Sequence, residues 1–232
     1  MFRKTGGFGI LGGIARWLLR LFLVLVVVLA GFLVAYRFVM PVSTLMLARM
    51  ITHQKVERTV VPLSAISPHL IAAVITSEDA RFCLDRGVDW GALREVIDDS
   101  GEDGPSRGAS TITMQVARNV FLWQGRSYIR KGLEIPLAVL LDFVWPKRRI
   151  LEIYLNIAEW GDDGIFGVEA ASRTYFHKNA SMLNARAAAL LVGVLPDPQD
   201  RDPRRPDRAL LTHARIVTNH LREGRPVLSC LR

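Results

Sequence analysis

The sequence of 232 residues predicts a mainly α-helical protein that begins with one transmembrane helix. Two observations support this fold class. Residues 21–36 contain no charged side chain, and after them capping residues followed by apolar residues at helical spacing recur along the chain. No run of alternating strands and no internal repeat appears in the sequence. Half of the residues are apolar, which excludes an intrinsically disordered chain.

The apolar stretch at residues 18–39 supplies the roughly 20 apolar residues that a helix needs to cross a bilayer, provided that Arg20 and Arg37 snorkel towards the headgroups. A cleavable signal peptide is the alternative. Its apolar core would be only about 7–15 residues long and would be followed by a small-x-small cleavage site, which the sequence lacks. We therefore expect an uncleaved anchor.

Basic residues before the uncharged residues 21–36 predict the orientation of the transmembrane helix. Because positive charge favours the cytoplasmic side, the N-terminus should stay in the cytoplasm and the chain after Met40 should be exported. The basic residues concerned are Arg3, Lys4, Arg16 and Arg20. An exported enzyme has no ATP, so any synthetic reaction must use a substrate that is already activated.

The exported part is predicted to be a series of helices. Residues 41–66 form a connector with extended character at Val56–Val61, and residues 98–108 form a Gly- and Ser-rich loop. Ser67 caps the first helix, which has Pro68 at its first position and ends at Glu78. Further helices are predicted at Ser110–Leu122, Ser127–Val144 with a bend at Pro136, Pro146 to about Ala158, 167–176, 182–194 and 208–222.

Five segments carry candidate chemistry. The first, EDARFCLDRGVD, opens with the acidic pair Glu78 and Asp79 at a helix end. An acidic pair in that position is usually a solvated helix terminus. The second, GASTITMQVARN, is a turn of small residues that enters a helix N-terminus, which is suited to an anion. An ordinary capping sequence is the alternative for this second segment.

The third segment, RSYIRKGLE, places Arg130 and Glu134 on one helical face. The pair is either a surface ion pair or a buried pair that lines a cleft, and the sequence leaves both open. In the fourth, KRRILEIYLN, the spacing of the apolar residues predicts a core-facing stripe that includes Tyr154. The fifth, GIFGVEAASRTYF, has two glycines three residues apart, which indicates a tight turn or a close helix approach.

The two cysteines, Cys83 and Cys230, fit no metal or haem spacing. Because Cys230 lies near the C-terminus, where chains usually fray, we expect two unpaired thiols. The net charge of +8 predicts an anionic partner, and nucleic acid, acidic lipid headgroups and pyrophosphate all have the required charge.

Together, in this order, the five segments resemble the signature blocks of glycosyltransferase family 51, which contains the transglycosylase domains of penicillin-binding proteins and their monofunctional relatives. The matching patterns are EDxxFxxxxGxD, GxSTITxQ, RKxxE, KRxILExYLN and GxxGVxxAxxxYF. No SxxK, the motif of a transpeptidase nucleophile, occurs in the sequence. The resemblance covers about residues 55–200.

The resemblance implies a lysozyme-like, two-lobed helical domain with a cleft. The implied organisation is a basic cytoplasmic tail (1–17), the anchor (18–39), a connector (40–54), the glycosyltransferase domain (55–200) and a C-terminal helix with its tail (201–232). It also implies the site residues. The two catalytic carboxylates fall on Glu78 and Glu134, and the substrate-binding residues on Asp79, Phe82, Ser110, Thr111, Gln115, Arg118, Asn119, Arg130 and Lys131.

Three positions depart from the family pattern. This chain has Asp85 where the family commonly has His, Met114 where it often has Gln, and Arg118 where Lys usually stands. The change at Arg118 keeps the positive charge but replaces a compact ammonium with a planar guanidinium. The change at Asp85 is the least conservative of the three.

The implied activity is polymerisation of lipid II, the undecaprenyl-pyrophosphoryl disaccharide-pentapeptide, into glycan strands at the periplasmic face of the bacterial inner membrane. Glu78 is the predicted general base, and cations of the second and third segments stabilise the departing pyrophosphate. The implied partners are lipid II, the growing strand, the membrane and other cell-wall synthesis proteins, with no nucleic acid. No metal site is predicted and no cofactor is required, although a divalent metal is compatible with the reaction.

Aromatic and apolar residues at 121–128 form either an interfacial patch beside Arg126 and Arg130 or part of the core. Two other functions remain as alternatives. A lysozyme-like hydrolase also uses a Glu, but its neutral leaving group needs no cluster of cations. A non-catalytic scaffold would not need Glu78.

Overall fold

The computed structural model describes residues 7–98, 110–125, 127–224 and 228–231. Within these ranges, the chain forms ten α-helices and three very short strands, so the predicted mainly α-helical class is confirmed. The chain divides into two compact units, Met1–Val39 and Met40–Arg232. The lysozyme-like, two-lobed arrangement stays a prediction. Almost all of the predicted loop at 98–108, together with Arg3, Lys4 and Arg126, lies outside the described residues.

The first unit is one long helix, α1 (Gly7–Tyr36). Its segment Gly12–Tyr36, of 25 residues, is apolar and long enough to cross a membrane. The helix begins well before the predicted start at residue 18. It also ends three residues before the predicted end, because the chain turns after Tyr36.

The second unit contains the remaining helices and three strands. The helices are α2 (Thr44–Ile51), α3 (Pro68–Glu78), α4 (Trp90–Asp98), α5 (Ile112–Phe121), α6 (Tyr128–Val144), α7 (Lys147–Ile157), α8 (Val168–Phe176), α9 (Ala185–Val192) and α10 (Arg208–Arg222). The strands are β1 (Glu57–Arg58), β2 (Glu159–Gly161) and β3 (Ile165–Phe166), and 3₁₀ turns lie at Leu63–Ala65, Ala180–Met182 and Ser229–Leu231.

Side-chain caps explain where several helices begin. Ser67 Oγ accepts from His69 N, Ser127 Oγ from Arg130 N, and Asp207 Oδ1 from Leu210 N. The predicted starts of α3, α6 and α10 are therefore confirmed. The cap of α5 is a correction, because Thr111 and not Ser110 accepts the hydrogen bond from Met114 N.

Two helices were not predicted. Helix α2 lies where the sequence indicated a connector, and Ser43 caps it by accepting from Met46 N across 3.1 Å. Arg49 of α2 forms an ion pair with Glu159 of β2, which joins this helix to the small sheet. Helix α4 follows Asp89, whose carboxylate accepts from Ala92 N at 3.1 Å.

The helices of the second unit pack in two groups, and this arrangement positions the site. Helix α3 packs against α9 and α10, which also pack against each other. Helix α5 packs against both α6 and α7, and these three form the second group. The C-terminal end of α3 meets the first turns of α5 between these groups. Because the segment GASTITMQVARN contains the start of α5, that segment lies beside Glu78.

The sheet has the strand order β1-β3-β2, with β1 parallel and β2 antiparallel to β3. The predicted tight turn is confirmed at Gly164, which joins β2 to β3 with φ +71. A side chain on Gly164 would collide with the carbonyl oxygen of Lys55, so glycine is required there.

The expectation of two unpaired thiols is wrong, because Cys83 and Cys230 form a disulfide. Their Cα atoms lie 5.4 Å apart although 147 residues separate them in the sequence. The turn at Ser229–Leu231 is held in place, because it packs against α7 and because Arg148 Nη1 donates to Leu231 O across 3.2 Å. This contact brings Cys230 beside the turn that follows α3.

Candidate active site

Glu78 is the last residue of α3, and hydrogen bonds hold both of its carboxylate oxygens. Ser77 Oγ donates to Oε1 across 3.2 Å, and Gln115 Nε2 donates to Oε2 across 3.1 Å. Burial raises the pKa of Glu78 above its ordinary value, while the hydrogen bonds from Gln115 and Ser77 and the charge of Arg118 oppose that rise. The carboxylate is therefore fixed in position and more basic than a solvated one.

A buried tyrosine orients Gln115. Tyr154 Oη donates to Gln115 Oε1 across 3.3 Å, which turns the amide nitrogen of Gln115 towards Glu78. Tyr154 was predicted as a core residue of α7, and it is buried. Burial raises the pKa of its phenol well above the ordinary value, so the hydroxyl keeps its proton and remains a donor.

Arg118 lies one turn after Gln115 on the same helix and interacts electrostatically with Glu78. Burial lowers the pKa of Arg118, and the nearby Tyr154 and Glu78 oppose that change. An arginine remains charged under such conditions. Arg118 Nε donates to Asn119 Oδ1 across 3.4 Å, so Asn119 contacts the guanidinium directly.

The third segment forms a buried cluster, which decides between the two interpretations of Arg130 and Glu134. Glu134 is 1 % exposed, and it forms ion pairs with Arg130 and with Lys131. Lys131 Nζ also donates to Ser110 Oγ across 3.2 Å. Burial lowers the pKa of both Arg130 and Lys131, and so does repulsion from Arg118. Three cations therefore lie near one another, and Arg118 among them interacts with Glu78.

Groups of the protein itself accept hydrogen bonds from two backbone N–H groups at the N-terminus of α5, and the binding of a substrate anion at this helix end stays a prediction. Asp79 Oδ2 accepts from Ile112 N across 3.0 Å, and Thr111 Oγ1 accepts from Met114 N across 3.1 Å. Thr111 also donates to Gly87 O at 2.7 Å. Its hydroxyl proton is therefore used within the fold. The side chain of Asp79 is therefore one of the acceptors at this helix end.

Asp79, which follows Glu78 in the sequence, forms a pair of neighbouring carboxyl groups with Asp85. Burial raises the pKa of Asp79 to about 8, and the neighbouring Asp85 adds to the rise through its charge and a side-chain hydrogen bond. Lys147 lies between Asp85 and Asp142, with Nζ–Oδ1 distances of 2.8 Å and 2.7 Å. One ammonium thus faces two buried carboxylates, and a proton on Asp79 reduces the repulsion.

A cavity of about 200 Å³ opens beside the catalytic candidates. Its lining includes Glu78, Asp79, Ser110 and Thr111, together with Arg81 and Asp89. Phe82 does not line it. The ring is fully buried, and Lys147 Nζ lies 4.7 Å from its centroid.

Sequence reasoning missed His213 and Lys147. His213 of α10 lies 3.0 Å from Ser77 Oγ, and Lys147 forms an ion pair with Asp85. The sequence offered a partial signal for these contacts. Ser77 directly precedes the predicted site residue Glu78, and Lys147 is the first residue of the fourth segment. No local pattern points to His213, because its contact joins residues 136 positions apart.

In the part of the chain that the structure describes, no group of three or more His, Cys, Asp or Glu side chains is arranged to hold a metal ion. The cation of the Asp79–Asp85 pair is instead the Lys147 ammonium. Whether the reaction uses a divalent metal stays a prediction.

Comparisons with known proteins match most of the chain. The Transglycosylase family matches residues 44–222. A biosynthetic peptidoglycan transglycosylase of Brucella suis is 50% identical over 216 residues, which cover 92% of this chain and 96% of that protein. The proteins of the same name from Agrobacterium fabrum and Nitrobacter hamburgensis are 48% and 54% identical, over 85% and 74% of this chain and 87% and 76% of their own lengths.

Proposed function

The chain belongs to the transglycosylase family, and from that premise we propose that it is a peptidoglycan glycosyltransferase that polymerises lipid II into linear glycan strands. Each cycle joins the 4-hydroxyl oxygen of an acceptor sugar to C1 of a donor sugar. The bond between C1 and the pyrophosphate oxygen breaks, and undecaprenyl pyrophosphate leaves. In this sequence the transglycosylase domain is accompanied by no SxxK motif, which supports a monofunctional enzyme.

One observation carries the proposal: a basic carboxylate interacts with Arg118, which belongs to a cluster of three cations. Glu78, held by Ser77 and Gln115, takes the proton of the acceptor hydroxyl as that oxygen attacks C1. General-base catalysis of this kind contributes typically about 10²–10⁴-fold. The raised pKa of Glu78 suits that role, because the base must be ionised yet still attract a proton near neutral pH.

The leaving group requires positive charge, which Arg118 and Lys131 supply. A pyrophosphate gains negative charge on its bridging oxygen as the bond to C1 breaks, and fixed cations stabilise that charge. Glu134 is too buried to reach a substrate, so we assign it a positioning role. It fixes Arg130 and Lys131 through its two ion pairs. A hydrolase with a neutral leaving group has no use for these cations.

The apolar surface of α6 supports a position at the membrane. Along one side of this helix, Ile129, Val139 and Phe143 are exposed, and Phe143 is 87 % exposed. Tyr128 and Trp123 extend this face at its N-terminal end, whereas Leu122 is buried and belongs to the core. An amphipathic surface with aromatic residues favours the headgroup boundary, where the lipid chain of the substrate resides.

We further propose that α1 anchors the chain in the bacterial inner membrane, with the N-terminus in the cytoplasm and the second unit in the periplasm. The apolar segment Gly12–Tyr36 and the basic residues before it support this orientation. The disulfide between Cys83 and Cys230 supports it independently, because such bonds form and persist in the oxidising periplasm.

The direct test is to incubate the purified full chain, in detergent, with radiolabelled lipid II and to separate the products on a gel. We expect a ladder of glycan polymers that a muramidase digests. A parallel incubation with intact peptidoglycan should release no soluble fragments. Release of fragments without polymer formation would instead identify the chain as a hydrolase.

A further inference from the structure

Ser77 Oγ connects the predicted general base to a histidine on the C-terminal helix. The hydroxyl oxygen lies 3.2 Å from Glu78 Oε1 and 3.0 Å from His213 Nε2. His213 belongs to α10, which packs directly against α3. The three side chains form one continuous hydrogen-bonded chain from the carboxylate to a partly buried imidazole.

Resting on the proposed function, we propose that His213 is a positioning residue that acts through Ser77, fixing the Glu78 carboxylate and transferring its proton to solvent on the α10 side of the protein. The substrates approach Glu78 through the cavity that this residue lines. A proton taken up there needs a second route out while a glycan strand fills the cavity. The Ser77 hydroxyl provides that route.

The transfer balances with the groups present. After Glu78 has taken the acceptor proton, the proton passes from Oε1 to Ser77 Oγ, while the hydroxyl proton of Ser77 passes to Nε2 of His213. The resulting imidazolium releases its Nδ1 proton to water, and Glu78 is again ionised. The ring, now protonated at Nε2, returns to the Nδ1–H form by proton exchange with water before the next cycle. Only O–H and N–H bonds form and break, so no co-reactant is required.

The surroundings of His213 keep the imidazole neutral and therefore able to accept a proton. Burial lowers its pKa, and the positive charge of Arg201 lowers it further. Arg201 is fixed by a 2.7 Å hydrogen bond from Nη1 to Gly193 O, at the end of α9. The charged group on the α3 side is Glu78, which is reached through Ser77.

Packing at Gly193 fits the ring into this position. A Cβ atom at Gly193 would lie 3.4 Å from His213 Cδ2 and would collide with the side chain of Leu210. The absence of a side chain at the end of α9 thus leaves room for α10, with Leu210 and His213, to approach α9. The titratable groups beyond Glu78 are Arg118 of α5 and the Tyr154 phenol of α7, and both interact with Glu78.

The test compares His213→Gln and Ser77→Ala with wild type in steady-state polymerisation of lipid II by the full chain, between about pH 5 and about pH 9. Glutamine retains a donor and an acceptor but cannot carry a proton. We expect each variant to lower kcat by about tenfold or more, to leave KM within about twofold, and to alter the acid limb of the pH–rate profile. Because the two residues act in series, the double variant should be no slower than the slower single variant.

A matched control is His220→Gln, which makes the same change two turns later on α10. It should retain wild-type rates, and thermal unfolding should show that His213→Gln is folded. A His213→Gln enzyme within about twofold of wild-type kcat at every pH would overturn the proposal. That result would leave the glycosyltransferase function intact, whereas a wild-type chain that makes no polymer would refute the function itself.

Discussion

Gln115 Nε2 donates to Glu78 Oε2 across 3.1 Å, and this hydrogen bond joins α5 to the end of α3 at the centre of the candidate site. The two residues belong to different helix groups, and each is held by a further partner. Ser77 donates to Glu78, and Tyr154 donates to Gln115. The basicity of Glu78 is therefore set by both helix groups, and it can be altered without changing the carboxylate itself.

The variant Gln115→Met removes that hydrogen bond while keeping a side chain of similar length. Because the bond lowers the pKa of Glu78, its loss should raise that pKa further. Activity that needs ionised Glu78 is lost as the pH falls through this pKa, so the acid limb of the kcat profile should move to higher pH. Gln54→Met, on the exposed connector, is the matched control and should leave the limb unchanged. A limb that stays in place or moves to lower pH in Gln115→Met would contradict this account.

Substitutions at Arg118 test whether the cation acts on the leaving group. If it contacts the pyrophosphate as a charge, Arg118→Lys should remain active, whereas Arg118→Ala should lose about 10- to 150-fold in kcat/KM, the effect of one charge-assisted contact. Steady-state rates on lipid II measure both variants. Arg215→Ala, on the exposed side of α10, provides the control for loss of a positive charge. An Arg118→Ala enzyme as fast as wild type would contradict the contact between Arg118 and the pyrophosphate. Stabilisation of the leaving group would then rest on Lys131 and Arg130.

The carboxyl pair predicts how stability depends on pH. The pKa of Asp79 is raised to about 8 in the folded chain, whereas an unfolded Asp titrates near about 4. The folded state therefore binds an additional proton between these values, and its stability should fall as the pH rises through this range. Asp85→Asn removes the facing charge, so the pKa of Asp79 should fall and the loss of stability should be smaller.

Thermal unfolding midpoints at about pH 5 and about pH 8.5 test this expectation in wild type and Asp85→Asn. The midpoint should fall further in wild type over this interval. Glu78 also has a raised pKa and contributes to the fall in both proteins, so the difference between them reports the Asp79–Asp85 pair. Equal falls in the two proteins would show that Asp85 does not set the protonation of Asp79.

The disulfide should stabilise the second unit. Cys83 and Cys230 close a loop with a sequence separation of 147 residues, and a native disulfide contributes typically about 2–4 kcal/mol. Replacing both cysteines with Ser should lower the free energy of unfolding by that amount, because the unfolded chain regains its freedom. Denaturant unfolding measures the change. Reductant should lower the free energy of unfolding of wild type but not that of the double variant. An unchanged free energy of unfolding of wild type in reductant would argue against the disulfide.

Local patterns predicted much of the fold. The Ser67 cap with Pro68 located α3, and Asp207 located α10 to its first residue. Helices α2 and α4 were missed, because each has only eight or nine residues and carries a short apolar pattern that also fits a connector. The prediction of free thiols failed, because spacing along the chain does not report that residues 83 and 230 meet in space.

The candidate site was predictable where the family resemblance assigns its residues. Glu78 of the first segment lies beside Gln115 and Arg118 of the second, as the resemblance implied. What the sequence could not provide were contacts between distant elements. The carboxyl group of Asp79 accepts a hydrogen bond from Ile112 N at the start of α5, and His213 reaches Ser77 from a helix that carried no motif. Both results depend on how α3 packs against its neighbours.

The central claim is that Glu78 is the general base of glycan polymerisation, and the variant Glu78→Gln tests it most directly. Glutamine keeps the size of the side chain and can still accept from Gln115, but it cannot take a proton. The measurement is the initial rate of polymer formation from lipid II by Glu78→Gln and wild type, with thermal unfolding to establish that both are folded. We expect the rate to fall by more than about 10²-fold. A folded Glu78→Gln protein that polymerises within a few-fold of wild type would contradict the assignment.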